Sequence, residues 1–313
     1  MSKPKTLLEA IRYFSDPDTC TAFVAQIIWP DGPFCPACAC TEYSYLSTRR
    51  VWKCKACKKQ YSVKVGTIFE NSPLPLSKWL PAVWLIANSK NGISSHELGR
   101  ALGITQKTAW FMLHRIRLAM QTESFVRLSG EIEVDETFIG GKARNMHAAD
   151  RKRKAVKRGG KGSGKTPVFG MIERGGKVKA QVVPDVRGKT LRPIIKASVA
   201  NGSTVYSDAL PSYNGLGVRF THKTIDHAER YVDGKVHTNT IESFWSLLKR
   251  SLSGTYISVE PFHLFRYIDE RVFAFNQRRD SDYARFEAIL GAVSGRRLTY
   301  AGLIGALPSD GGR

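Results

Sequence analysis

No apolar run in this chain comes near the roughly 20 residues that a bilayer-crossing helix needs, so the sequence offers no membrane span. The opening, MSKPKTLLEA, also lacks the apolar stretch of a secretory signal, and the chain is expected in the cytoplasm. Acid is scarce as well. Only 27 Asp and Glu stand against 48 Lys and Arg, for a net charge of +21. Self-repulsion at that charge makes a polyanionic partner the economical explanation. Nucleic acid is the first candidate. Anionic membrane is the weaker one, because no basic helix with a bulky apolar face is present. A generally basic, solvated surface is the plainer alternative, against which stands the clustering of the charge. Cysteine is also sparse, at 6 residues, and four of the six fall into two close pairs. No internal repeat is found.

What is present begins with length. A chain of 313 residues accommodates about two domains, and its 42% hydrophobic content is that of an ordinary globular protein. Residues 49–64 carry seven Lys or Arg and no acid. Residues 142–165 carry ten against the single acid Asp150, and Arg151, Lys152, Arg153 and Lys154 form their densest run. This second stretch is Gly-rich, cannot build a core, and is expected to stay mobile until it meets phosphate.

Cys35-Pro-Ala-Cys38 and Cys54-Lys-Ala-Cys57 are two CxxC knuckles separated by fifteen residues. Each knuckle turns two thiolates toward one side of a metal, and a hairpin between them completes a tetrahedron. Structural zinc follows, because four thiolates leave no open position for water. The alternatives are disulfides, disfavoured in a cytosolic chain, and redox chemistry, for which a CxxC normally stands alone. Cys40 is a possible decoy ligand, and Cys20 reads as a small buried apolar residue.

Further on, Ser94 or Ser95 caps a helix that ends at Gly103, and Thr105 caps the next, which runs to about Met120. This is the outline of a helix-turn-helix. Gln106, Lys107 and Thr108 occupy the N-terminal turn of its second helix, where such units meet base edges, with His114, Arg115 and Arg117 farther along. An ordinary helical hairpin has the same outline.

After about residue 128 the period changes. EIEVDETFIG alternates as a strand, TPVFGMIER and KVKAQVVPD form a hairpin around Gly175-Gly176, TLRPIIKASVA is helical, and STVYSD is a short strand. Helices follow over 240–253 and 261–277. This order predicts an α/β domain with a mixed sheet. Asp135 sits near the end of the first of these strands, and Asp208 ends STVYSD. Glu242 lies on the helix HTNTIESFWSLLKRSL, and at about 100° per residue the seven-residue step to Lys249 returns to the same face. Asn239, three residues before Glu242, reaches the same side. Three hard oxygen donors suit Mg²⁺ or Mn²⁺ and metal-assisted phosphoryl transfer, with Lys249 toward the phosphate. By spacing alone, each is equally readable as a surface acid or a helix cap.

Taken in order, VDETFIGGK, VYSDALPSY and HTNTIESFWSLLKR resemble the catalytic blocks of bacterial insertion-sequence DDE transposases. The group resembled is the ISXO2-like one, the bacterial counterpart of the eukaryotic Merlin transposons, which also carries an N-terminal zinc ribbon. The resemblance spans about residues 10–290. It implies an RNase H-like catalytic domain, cleavage at the terminal inverted repeats of a DNA element, and attack of the freed 3′-hydroxyl on target DNA. Asp135 and Asp208 match the first two acids, and thirty-three residues separate Asp208 from Glu242, close to the usual interval. Parts of the group carry asparagine as the third residue. Glu242 is favoured as the better metal ligand, and Asn239 remains its alternative.

The expected organisation is a helical lead-in and zinc ribbon over 1–66, a helix-turn-helix-like DNA-binding region over 77–120, an RNase H-like domain over 128–290, and a loosely ordered tail over 291–313. The expected cofactors are structural Zn²⁺ and catalytic Mg²⁺ or Mn²⁺. The expected partners are double-stranded DNA, as element ends and target, and further copies of the chain on that DNA, in a bacterial nucleoid. Two rivals stand beside this reading: a zinc-ribbon transcription regulator that does not cut, and a structure-specific nuclease of the same fold that does not join.

Overall fold

The structure, a computed structural model, describes residues 3–121, 126–141, 164–225 and 237–306. It divides into two compact units, residues 1–121 with 279–313, and residues 122–278. Among the described residues no helix is long and apolar enough to cross a membrane.

The first unit opens with α1 (Leu7–Tyr13) and α2 (Pro17–Ile28). Thr6 and Asp16 cap them by accepting the amides of Glu9 and Thr19, and Pro17 sits at the first helical position, where a missing N–H costs nothing. A three-stranded antiparallel ribbon follows, of β1 (Tyr43–Leu46), β2 (Val51–Cys54) and β3 (Gln60–Tyr61). Trp29, at the end of α2, meets Trp52 of β2 edge-on at 5.1 Å and gives the small ribbon an apolar wall. Then come α3 (Leu76–Asn88), α4 (Ser95–Leu102) and α5 (Gln106–Met120). Gly103 ends α4 in the left-handed region at φ 60, and a side chain on Gly99 would stand 3.0 Å from the Ile104 carbonyl. These two glycines let α5 fold tightly against α4, as a helix-turn-helix requires.

The segment after Arg278 differs from the sequence reading, which places residues up to 290 with the acid-bearing domain and leaves 291–313 loose. Residues 279–313 belong to the first unit. There α9 (Asp282–Gly291) puts Phe286 5.6 Å from Phe14 and 5.2 Å from Trp84. Beyond it, Val293 accepts the Ile68 amide, and Arg296 donates to the carbonyls of Leu118 and Gln121. A short α10 (Tyr300–Leu303) follows, with Leu303 buried. The apolar face of α9 has its partners in the N-terminal helices, a pairing that local pattern cannot reveal.

The second unit is an α/β layer structure. Its sheet holds β4 (Glu131–Ile139), β5 (Thr166–Glu173), β6 (Val178–Val182), β7 (Thr204–Asp208) and β8 (Thr221–Ile225) in the order β6-β5-β4-β7-β8. The first three are antiparallel to one another, and β7 and β8 run parallel to β4. The mixed sheet expected from the element order is therefore present, in the RNase H-like arrangement, with the edge strand β8 as a fifth strand that the sequence pattern does not mark. One face packs on α6 (Gly188–Ser198) through Ile132, Val134, Phe169, Val205, Leu191 and Ile195. The other packs on α7 (Asn239–Arg250) and α8 (Leu264–Asn276) through Val168, Ile172, Ile241, Phe244, Leu248 and Ile268. Alternation along β4 sends Ile132 and Val134 to α6 and Glu133 and Asp135 toward α7. The acidic side of that strand is thus a covered face, not a solvent face.

Candidate functional site

The four knuckle sulfurs lie within 4.8 Å of one another. Cys35 and Cys57 approach to 3.6 Å, as do Cys38 and Cys54. A zinc–sulfur bond of about 2.3 Å gives a tetrahedron with edges of about 3.8 Å, so the spacing fits a metal. It is far beyond the roughly 2.05 Å of a disulfide. The Cys57 amide donates to the Cys54 sulfur and leads the causes that lower the Cys54 thiol to about 6. Cys40 stands outside the tetrad, its sulfur accepting the Glu42 amide. Cys20 is buried against the Phe14 carbonyl, and burial pushes its thiol up to about 12.

The acids converge at one end of the second sheet. The parallel register of β4 and β7 pairs Ile132 with Val205 and Glu133 with Tyr206. Asp135 and Asp208 each lie two residues farther along, level with one another and on the same face. Glu242 comes from the first turn of α7. Each carboxylate has a donor that orients it. Trp245 Nε1 donates to Asp135 Oδ2 at 2.9 Å, the Leu210 amide to Asp208 Oδ1 at 3.2 Å, and the Thr238 hydroxyl to Glu242 Oε1 at 3.0 Å. Burial raises the Asp135 carboxyl to about 6, and the charges of Asp208 and Glu242 push it the same way. Hard oxygen donors of this kind are the chemistry that Mg²⁺ or Mn²⁺ takes, while among the described residues the four cysteines are the group that stands close enough together to hold an ion as placed.

Asn239 and Lys249 stand differently. Asn239 is exposed at the first helical position of α7, where its carbonyl accepts from Ser243. Lys249 is exposed in the last turn, about 10 Å along the helix from Glu242 at 1.5 Å per residue.

Several residues of this site are absent from the sequence reading. Glu136, next to Asp135, is raised to about 7 by burial and accepts the Tyr213 hydroxyl. Its adjacency in VDET was the available signal. Gly170 pairs with Asp135 across β5, and a Cβ there would lie 2.5 Å from Trp245 Cη2. The glycine makes room for the indole that holds Asp135, a relation invisible in either segment alone.

In the first unit, Gln106 and Lys107 are exposed at the start of α5, with Gln106 donating to Ser95 and Lys107 lying 5.0 Å over the Tyr300 ring. The Thr108 amide donates to the capping Thr105 hydroxyl. Arg115 is largely buried, donates to the Glu70 carbonyl and lies over the rings of Phe111 and Trp79, in the wall of a pocket that Lys107 and Thr108 also line. His114 and Arg117 are buried with it. Arg151, Lys152, Arg153 and Lys154 lie outside the described residues.

Comparison with known proteins agrees with both units. The model of the ISXO2-like transposase domain matches residues 127–276, and that of the transposase zinc-ribbon domain matches residues 15–60. A protein of the transposable element ISH50 from Halobacterium salinarum is 29% identical over 242 residues, covering 74% of this chain and 81% of the relative. A transposase-like protein of Haemophilus influenzae is 36% identical over 101 residues, covering 32% of this chain and 81% of the relative.

Proposed function

We infer what the chain does from the family it belongs to, the ISXO2-like transposases with a zinc ribbon before the catalytic domain. It binds the terminal inverted repeats of an insertion sequence, cleaves DNA there with Mg²⁺ or Mn²⁺, and joins the freed end to target DNA. The observation that carries this is that Asp135, midway along β4, lies level with Asp208 at the end of the parallel neighbour β7, with Glu242 close enough to act on the Asp135 carboxyl.

In this reading Asp135, Asp208 and Glu242 hold the catalytic cations. Once bound there, a pair of divalent ions stabilises both the attacking and the leaving oxygen of an in-line displacement. Trp245, Leu210 and Thr238 preset the carboxylate rotamers, so little ordering remains when DNA arrives. Cleavage exchanges the P–O3′ bond at the element end for a bond to water oxygen. The water proton passes to solvent, and a 3′-hydroxyl remains. Joining forms a new P–O bond from that 3′ oxygen to a target phosphate and releases the target's own 3′-hydroxyl. The Cys35, Cys38, Cys54 and Cys57 tetrad holds structural zinc, and the exposed start of α5 with Gln106, Lys107 and Thr108 reads end DNA. The basic residues Arg151 to Lys154 contact phosphates, and paired ends bring copies of the chain together.

The test is cleavage and strand transfer on DNA carrying element ends. Asp135→Asn and Asp208→Asn abolish both and leave binding intact. Glu242→Gln does the same, while Asn239→Ala keeps activity. Retained cleavage in the aspartate variants overturns the reading, and loss only with Asn239→Ala moves the third ligand. Cleavage without joining identifies a structure-specific nuclease, and binding without cleavage in the wild type identifies a regulator.

A further inference from the structure

We propose that Glu133 is a positioning residue that sets the distance between Asp135 and Glu242, an inference that rests on the reading of those two as part of the catalytic site. Glu133 lies two residues before Asp135 on β4, and its relative exposure is 0%. A carboxylate so buried is costly unless fully partnered. Here Oε2 accepts the backbone amides of Thr240 and Ile241 at 2.9 and 3.0 Å. Oε1 accepts the Thr240 hydroxyl at 3.0 Å and Arg174 Nε at 2.8 Å.

The two amides are what gives the arrangement its meaning. They belong to the first turn of α7, where backbone N–H groups have no partner within the helix. The residue in the capping position, Thr238, makes no side-chain cap bond and donates its hydroxyl to Glu242 instead. The cap is thus supplied by a strand residue more than a hundred positions earlier, with a negative charge at the positive end of the helix dipole. Ile241 is the residue immediately before Glu242. A path of two strand residues, one carboxylate and one amide bond therefore links Asp135 to Glu242. Arg174 completes the device. Its guanidinium also donates to the His237 carbonyl at 2.8 Å and lies 4.1 Å over the Tyr206 ring, so it anchors the chain entering α7 as well as the strand beside β4.

A purely stabilising role would not need this chemistry, because apolar residues of similar volume commonly replace a buried ion pair without loss of stability. That difference supplies the test. The double variant Glu133→Leu/Arg174→Met removes the carboxylate and its cation together. Its folding is followed by thermal unfolding, Mn²⁺ binding by electron paramagnetic resonance titration, and activity by cleavage of end DNA. The expected result is a folded protein with end-DNA binding intact. Mn²⁺ affinity should be about tenfold weaker, and cleavage should be slower by about tenfold to a hundredfold. A folded double variant with wild-type Mn²⁺ affinity and cleavage overturns the inference. If the double variant does not fold, Glu133→Gln decides by the same measures. Gln keeps one acceptor for the amides but turns an amide donor toward Arg174, so a several-fold loss of Mn²⁺ affinity is expected and wild-type affinity overturns the proposal. Asp135→Asn is run in parallel. If that variant still cleaves, the catalytic reading itself has failed, whatever Glu133 does.

Discussion

Replacing Gly170 by alanine tests whether the indole of Trp245 and the strand beneath it were shaped for each other. A Cβ at Gly170 meets Trp245 Cη2 at 2.5 Å, Cζ2 at 2.6 Å and Ile241 Cδ1 at 3.2 Å. The first two are closer than any Cβ contact allows, so the indole must move. Overpacking of this kind costs about 1–3 kcal/mol. Moving the ring also strains the Nε1–H bond to Asp135 Oδ2, and a bond to a charged group contributes about 1.5–3 kcal/mol. Without the indole the same change should be mildly favourable, because glycine inside a regular element is destabilising by roughly 0.5–1 kcal/mol relative to alanine. The four proteins of the cycle are wild type, Gly170→Ala, Trp245→Phe and the double variant. Phenylalanine lacks the outer ring that carries Cη2 and Cζ2. Urea unfolding should show Gly170→Ala costing about 2 kcal/mol or more with tryptophan present and close to nothing with phenylalanine, a coupling within the range for residues in contact. Metal-dependent cleavage should fall in Gly170→Ala. An equal cost of Gly170→Ala in both backgrounds refutes the reasoning.

The raised carboxyl of Asp135 predicts an unusual pH response. Its folded value of about 6 lies above the 3.8 of the free group, so its contribution to stability is complete below about 4 and is lost as pH rises through 6. A shift of that size is worth about 3 kcal/mol, and Glu136, raised to about 7, acts in the same direction. Without added Mg²⁺ or Mn²⁺, Asp135→Asn should be more stable than wild type at pH 7.5 by about 1–3 kcal/mol, with the difference falling to about a third by pH 4.5 and closing only below about pH 4. A less stable variant at pH 7.5 contradicts the assignment of the strain to charge. For the ribbon, one zinc per chain should be released by a thiol reagent and measured with a colorimetric chelator. Cys38→Ser should lose that zinc and Cys40→Ser should keep it, because only the former belongs to the sulfur tetrad. Loss of zinc in the Cys40 variant refutes the ligand set.

Much of the architecture is legible in short-range pattern. The CxxC pairs mark a metal ribbon because the turn that joins two thiolates is local. The caps Ser94 and Thr105 are readable for the same reason, since a cap reaches only three residues ahead. The alternation EIEVDE correctly separates Ile132 and Val134 from Glu133 and Asp135. What lies over each face is another matter. An acid on the polar side of a strand is the same in the sequence whether it faces water, a metal or a helix. Arg115 shows the converse. Its charge and helix phase do not tell that α5 is covered on several sides toward its C-terminal end, where the arginine is largely buried against Phe111 and Trp79.

By itself, then, the sequence determined most of the elements and their order, the sulfur tetrad and the strands that carry Asp135 and Asp208, but not β8 or α9, because period, spacing and turn chemistry act over a few residues. Only the tertiary structure decided how those parts are used. It brought α7 over the acidic face of β4, turned Glu133 into the cap of a helix more than a hundred residues away, and made Gly170 the floor for Trp245. It also returned α9 to the N-terminal unit. Each of these depends on which surfaces meet across the fold, and burial is a property of the pair in contact, not of either segment alone.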